Sequence, residues 1–83
     1  MGFVFGKYML YIEFEDGSKG YFMGKNGDHV MVTSSAANAD KWMSESGARN
    51  AFYDKGIAYG SNSHFSPVKN AWIYTDGKFF RMD

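Results

Sequence analysis

Asn26-Gly27 and Asp76-Gly77 each lie between short segments in which apolar and polar residues alternate. Dipeptides of this kind specify tight antiparallel hairpins, because Gly supplies positive φ without steric cost. Two such turns commit the segments that flank them to antiparallel hairpins.

Around the first turn, residues 8–14 place Tyr8, Leu10, Ile12 and Phe14 on one side and Met9, Tyr11 and Glu13 on the other. That is the period-two pattern of a half-buried strand, and the first set is expected to face the core. Glu15-Asp16-Gly17-Ser18 reads as a turn into a second strand over residues 19–25, which carries Tyr21, Phe22 and Met23. A third strand over residues 29–33 puts Val30 and Val32 on one side and His29 and Met31 on the other, completing a meander. Around the second turn, residues 71–75 and 78–82 form a hairpin, with Trp72 and Tyr74 on one face and Ala71 and Ile73 on the other.

Between these strand regions the period changes. Ser34 and Ser35 offer hydroxyl caps for a helix opening at Ala36, with Ala36, Ala39 and Met43 sharing a face. Ser44 gives a second start signal, followed by Glu45 in the first turn, then Ala48, Ala51 and Phe52, with Gly56 placed as a C-cap glycine. The expectation is a short helix, a kink and a longer helix, then a brief strand at 57–59. Residues 60–70 have turn composition and contain the one proline, Pro67. The order points to one α+β domain spanning 1–83, with an antiparallel sheet of about five strands and helices packed on one face.

A chain of 83 residues buries only about 60–65% of its unfolded surface, so its core must be dense. With 19% aromatic residues it holds more large rings than a one-sided core needs. Met9, Tyr11, Tyr21, Met23, Trp72 and Tyr74 are the candidates for the side away from the helices, which would make that side a contact surface.

Nine basic and nine acidic residues cancel, so there is no overall field to draw in polyanions. Cysteine is absent, which removes disulfides, thiolate nucleophiles and Cys-based zinc sites and fits a reducing compartment. No apolar run approaches the roughly 20 residues that span a bilayer. Residues 1–7 lack the long apolar centre of a secretion signal, and position 6 is Gly rather than the Ser or Thr of a myristoylation signal. These features predict a soluble, cytoplasmic protein with no membrane partner.

Residues able to carry chemistry are scattered. His29 follows Asp28 just after a hairpin turn, where a solvated histidine is the ordinary outcome; His64 lies in the irregular stretch and is the better candidate general base. Neither belongs to a metal-ligand spacing. Glu13, Glu15 and Asp16 run into a turn, the pattern of a solvated strand edge or of an acidic docking edge rather than of two carboxylates facing across a cleft. The serines suit caps and turns and lie in no nucleophile elbow. Gly24-Lys25-Asn26-Gly27 joins two strands, whereas a phosphate loop runs from a strand into a helix. No cofactor, no metal and no enzyme activity are expected.

Single-stranded nucleic acid is the alternative ligand, with Tyr11, Tyr21, Trp72 and Tyr74 stacking bases and Lys7, Lys19, Lys25, Lys69 and Lys78 on phosphates. Zero net charge opposes it, as does an element order unlike the βαββαβ of the common RNA-recognition module. A homodimer formed through edge strands or open sheet faces would also use surplus aromatics.

Residues 8–52 contain a strand pair with an Asp-Gly turn leading into Ala39-Asp40-Lys41-Trp42-Met43-Ser44-Glu45-Ser46-Gly47-Ala48. In this the chain resembles small accessory proteins of bacteriophages and mobile elements, including anti-CRISPR proteins. The resemblance covers about half of the chain and largely records how a helix packs on a sheet. It implies a phage-encoded inhibitor that binds a host protein or protein–nucleic-acid complex stoichiometrically in the host cytoplasm, and it assigns no site residues. From the chain itself, the expected partner-binding residues are Tyr59, Asn62, His64, Phe65 and Lys69 of the irregular stretch, with Tyr11, Tyr21 and Tyr74 of the sheet.

Overall fold

A computed structural model describes residues 6–82 of the protein. The reading of positions 1–5 as neither secretion signal nor myristoylation site lies outside them. Among the described residues the fold is α+β, an antiparallel sheet of five strands with one α-helix and two 3₁₀ turns. The strands are β1 (Met9–Phe14), β2 (Lys19–Asn26), β3 (His29–Thr33), β4 (Val68–Thr75) and β5 (Lys78–Arg81). Their spatial order is β3-β2-β1-β4-β5, so β1, the first strand among the described residues, lies at the centre and the C-terminal hairpin docks against it.

Alternation sets the faces as the sequence predicts. Leu10, Ile12 and Phe14 of β1, Phe22 of β2, Val30 of β3, and Ala71 and Ile73 of β4 are buried in one core cluster with Ala48 and Phe52 of the helix α1 (Glu45–Asp54). Leu10, Ile12, Phe14, Phe22, Ile57 and Ile73 are almost wholly removed from water. Burial of each such side chain contributes about 1.5–3 kcal/mol.

The helix starts where its signals place it. Ser44 Oγ accepts from the Gly47 N–H at 3.0 Å, Glu45 occupies the first turn, and Gly56 follows the last turn at φ 73°. Ala48, Ala51 and Phe52 form its buried stripe.

Three local expectations are corrected. The predicted helix from Ala36 is a single 3₁₀ turn, Ala36–Asn38, and no Ser35 side-chain cap forms; Thr33 Oγ1 instead accepts from the Ser35 N–H. Beyond it the chain is extended, because the Asp40 N–H bonds to the Phe22 carbonyl and Trp42 exchanges backbone bonds with Tyr8 at 2.8 and 3.1 Å. Pairing with sheet backbone outweighs local helix propensity here, and Lys41 Nζ takes up the carbonyls of Ala36, Ala37 and Ala39. Residues 57–59 form a 3₁₀ turn, not a strand, and that turn drives Ile57 into the core.

The third correction concerns the first hairpin turn. Asn26 pairs with His29, so the two-residue loop is Gly27-Asp28, with positive φ at Gly27 only. That is the demand of a type II′ turn, which wants Gly at its first central position. In the second hairpin, Thr75 pairs with Lys78, and Asp76 and Gly77 both have positive φ, as a type I′ turn requires.

Candidate functional site

The face of the sheet opposite α1 carries a connected set of aromatic rings. Register places Tyr11 beside Tyr21 on one flank and Trp72 on the other, and places Tyr74 beside Phe79. Tyr11 meets Tyr21 at 5.0 Å and Phe79 at 5.1 Å between ring centroids, both edge to face. Tyr21 meets Tyr74 at 5.3 Å, and Tyr74 meets Phe79 at 4.8 Å. These four rings close a circuit, and Trp72 joins it through Tyr11 at 6.1 Å.

Edge-to-face pairs of this kind contribute about 0.5–1.5 kcal/mol each beyond burial, so the rings hold one another in place. Met9, the register partner of Tyr74, is buried on this same side of β1. Partial burial, with the adjacent Tyr74 and Tyr11 phenols, raises the Tyr21 pKa above its usual value.

A polar row borders the rings. Asn70 Nδ2 donates to Glu13 Oε1 at 3.0 Å, and Arg81 donates to Asn70 Oδ1 at 2.9 Å. Lys19 is the register partner of Glu13. Tyr11, Glu13, Lys19, Trp72 and Phe79 line an open depression of about 410 Å³. Apolar rings with hydrogen-bonded polar groups at the margin match the anatomy of a protein-binding patch.

A second feature is the loop after the 3₁₀ turn Ile57–Tyr59. Asn62 is its brace and is buried, with 7% of its surface exposed. Its Nδ2 donates to Asp16 Oδ2 at 2.9 Å and to Ser18 Oγ at 3.0 Å, and its Oδ1 accepts from the N–H groups of His64 and Ser66. Every hydrogen-bonding position of the amide is thereby used. Ser18 donates to Asp16 from both its hydroxyl and its N–H, and with the Asn62 amide these bonds lower the Asp16 pKa to about 2.

His29 Nδ1 lies 3.2 Å from the Asn62 carbonyl oxygen, which can only accept, so Nδ1 carries the proton. Phe65 has φ 63°, is 77% exposed, and its ring lies 5.3 Å from that of His29. Among the described residues, no group of three His, Asp or Glu side chains could hold a metal ion, and no helix is long and apolar enough to cross a membrane.

The eight residues expected at a contact site thus fall in different places. Tyr11, Tyr21 and Tyr74 come together in the ring circuit. Asn62, His64 and Phe65 share the braced loop, where the Asn62 side chain is committed internally and the Phe65 ring faces solvent. Tyr59 is 82% exposed on the 3₁₀ turn. Lys69 is the extra residue of a bulge, since Glu13 pairs with Asn70 and Phe14 with Val68.

Phe79 was not foreseen. Counting outward from the Asp76-Gly77 loop pairs it with Tyr74, and that count was the available signal. No protein family, no curated protein and no solved structure matches this chain.

Proposed function

We propose that this chain is a small binding protein, not an enzyme, which docks on a larger protein through the aromatic face of its sheet. The observation that carries this reading is the closed circuit of Tyr11, Tyr21, Tyr74 and Phe79 with Trp72 attached. Tyr and Trp dominate binding energy at protein interfaces, and rings fixed in advance lose little entropy on docking. The braced loop, with Phe65 and His64 held outward, is the second contact. The resemblance of residues 8–52 to phage and mobile-element accessory proteins makes a host machine in the bacterial cytoplasm the partner class and stoichiometric inhibition the mode of action.

The test is capture of partners from a bacterial lysate by the tagged protein, with and without nuclease. Wild type is expected to retain one stoichiometric, nuclease-resistant protein. A Trp72→Ser, Phe79→Ser double variant is expected to lose it, and Met43→Ser, changed at a side chain 79% exposed elsewhere, to keep it. Retention by the double variant would overturn the reading.

Single-stranded nucleic acid is the second reading, favoured by the exposure of stacking rings beside Lys19. Glu13 sits in the same depression and opposes a phosphate there. Binding of oligo-dT that falls steeply with salt and disappears in Tyr11→Leu would move this reading to first place.

A further inference from the structure

The two edges of the sheet differ. Along β3, Val30 turns its N–H outward, and the Ser61 carbonyl accepts it at 2.7 Å, while the Ser61 N–H bonds back to the Asp28 carbonyl. The braced loop therefore covers the start of that edge. At the opposite end, every residue of β5 is exposed.

Hairpin geometry says which groups β5 presents. In a two-residue hairpin the residues flanking the loop form the first hydrogen-bonded pair, here Thr75 with Lys78, and bonded and non-bonded pairs then alternate. Ile73 with Phe80 is the next bonded pair, and the bond from the Met82 N–H to the Ala71 carbonyl continues the series. Phe79 belongs to a non-bonded pair, so its N–H and C=O point away from β4. A donor and an acceptor aimed outward from one extended residue are satisfied together by another strand.

We propose that β5 receives an extended segment of the partner protein, added antiparallel as a sixth strand. This inference deepens the reading of the sheet face as a protein-docking surface. The side chains of β5 define the segment. Phe79 lies on the ring face and is half exposed, so the residue opposite it is apolar and extends the aromatic patch. Phe80, 44% exposed on the other face, calls for a second apolar residue, and Lys78 calls for a carboxylate. Read from its N-terminus, the segment is apolar-apolar-acidic.

A second copy of this chain fits less well. The strand Lys78-Phe79-Phe80-Arg81 holds two cations and no carboxylate, so two-fold pairing of β5 with itself gathers four positive charges in one short ladder.

The experiment uses the intact protein labelled with ¹⁵N and a capped heptapeptide, Thr-Thr-Val-Val-Glu-Thr-Thr, in which the second Val sits opposite Phe79. At saturation, hydrogen exchange at the Phe79 amide is expected to slow by at least about tenfold. The same peptide N-methylated at that second Val is expected to give no such protection, and replacement of its Glu by Lys is expected to weaken binding roughly fivefold.

Shifts at Tyr11 and Trp72 with unchanged exchange at Phe79 would overturn the added strand and leave the docking face standing. No shift at any residue would likewise overturn it, and the face would then rest on the capture experiment alone. Protection of Phe79 that appears without peptide and grows with protein concentration would overturn it in favour of self-association.

Discussion

Asn62 Nδ2 donates to Asp16 Oδ2 at 2.9 Å across 46 residues of sequence, and this bond ties the loop after the 3₁₀ turn to the turn between β1 and β2. The amide serves both sides of the joint. Its other donor reaches Ser18, and its oxygen holds the N–H groups of His64 and Ser66.

Replacement of Asn62 by Ala strands several of these groups at once. A buried polar group left without a partner costs about 1–3 kcal/mol, so Asn62→Ala is expected to lose about 2–3 kcal/mol. For a domain of this size that lowers Tm by about 10–20 °C. Asn62→Asp keeps the acceptor but sets a second carboxylate against Asp16, and should be no more stable than the Ala variant at neutral pH. Urea unfolding of both variants checks the order.

Acid should loosen the same joint. The folded-state pKa of Asp16 is about 2, below its ordinary 3.8, so the carboxylate contributes stability above the unfolded value. That contribution declines as pH falls from about 4 through about 2. The difference in urea midpoint between wild type and Asp16→Asn is therefore expected to shrink over this window, and a ¹³C titration of the Asp16 carboxyl should show a midpoint near the lower end.

Phe65 holds φ 63° while its ring faces solvent. Left-handed backbone costs a residue with Cβ about 1–2 kcal/mol, an amount Gly avoids while adding unfolded-state entropy of about 0.5–1 kcal/mol. Phe65→Gly is accordingly expected to remain within about 1 kcal/mol of wild type, whereas the β-branched Phe65→Val should lose about 1–2 kcal/mol. Thermal unfolding separates the two.

Gly60 is required by close approach. A Cβ there would lie 2.5 Å from Val30 Cγ2 and 3.0 Å from the Asp28 carbonyl oxygen, where the loop meets β3. Gly60→Ala should cost about 1–3 kcal/mol by overpacking. It should also speed hydrogen exchange at the Val30 amide, whose acceptor is the neighbouring Ser61 carbonyl.

The ring circuit predicts coupling between side chains. A double-mutant cycle on Tyr11→Leu and Phe79→Leu should return an interaction of about 0.5–1.5 kcal/mol. The same cycle on Tyr11 and the distant Tyr53 should return nothing beyond error.

Much of the sheet was legible because its signals are local. Alternation in Leu10, Ile12 and Phe14 assigned the core face, and the Asp76-Gly77 dipeptide assigned the second hairpin. The cap at Ser44 and the stop at Gly56 were equally local. What escaped depends on partners far away in sequence. Asp40 and Trp42 are extended because Phe22 and Tyr8 bind their backbone, and no window around Ala39 contains that information. The circuit of rings needs β2, β1 and β4 side by side, an order that alternation within single strands does not encode. Asn62 was expected among the partner-binding residues of the irregular stretch, and only the folded turn at Asp16 reveals its side chain as a buried brace.

The two edges of the sheet are not equivalent places for a further strand. A strand seeking the β3 side must first displace Ser61 from Val30, whereas a strand arriving at β5 meets an exposed residue at every position. The proposed docking at β5 would leave the two edges unequal, one extended by a guest strand and the other capped at its start by the protein's own loop.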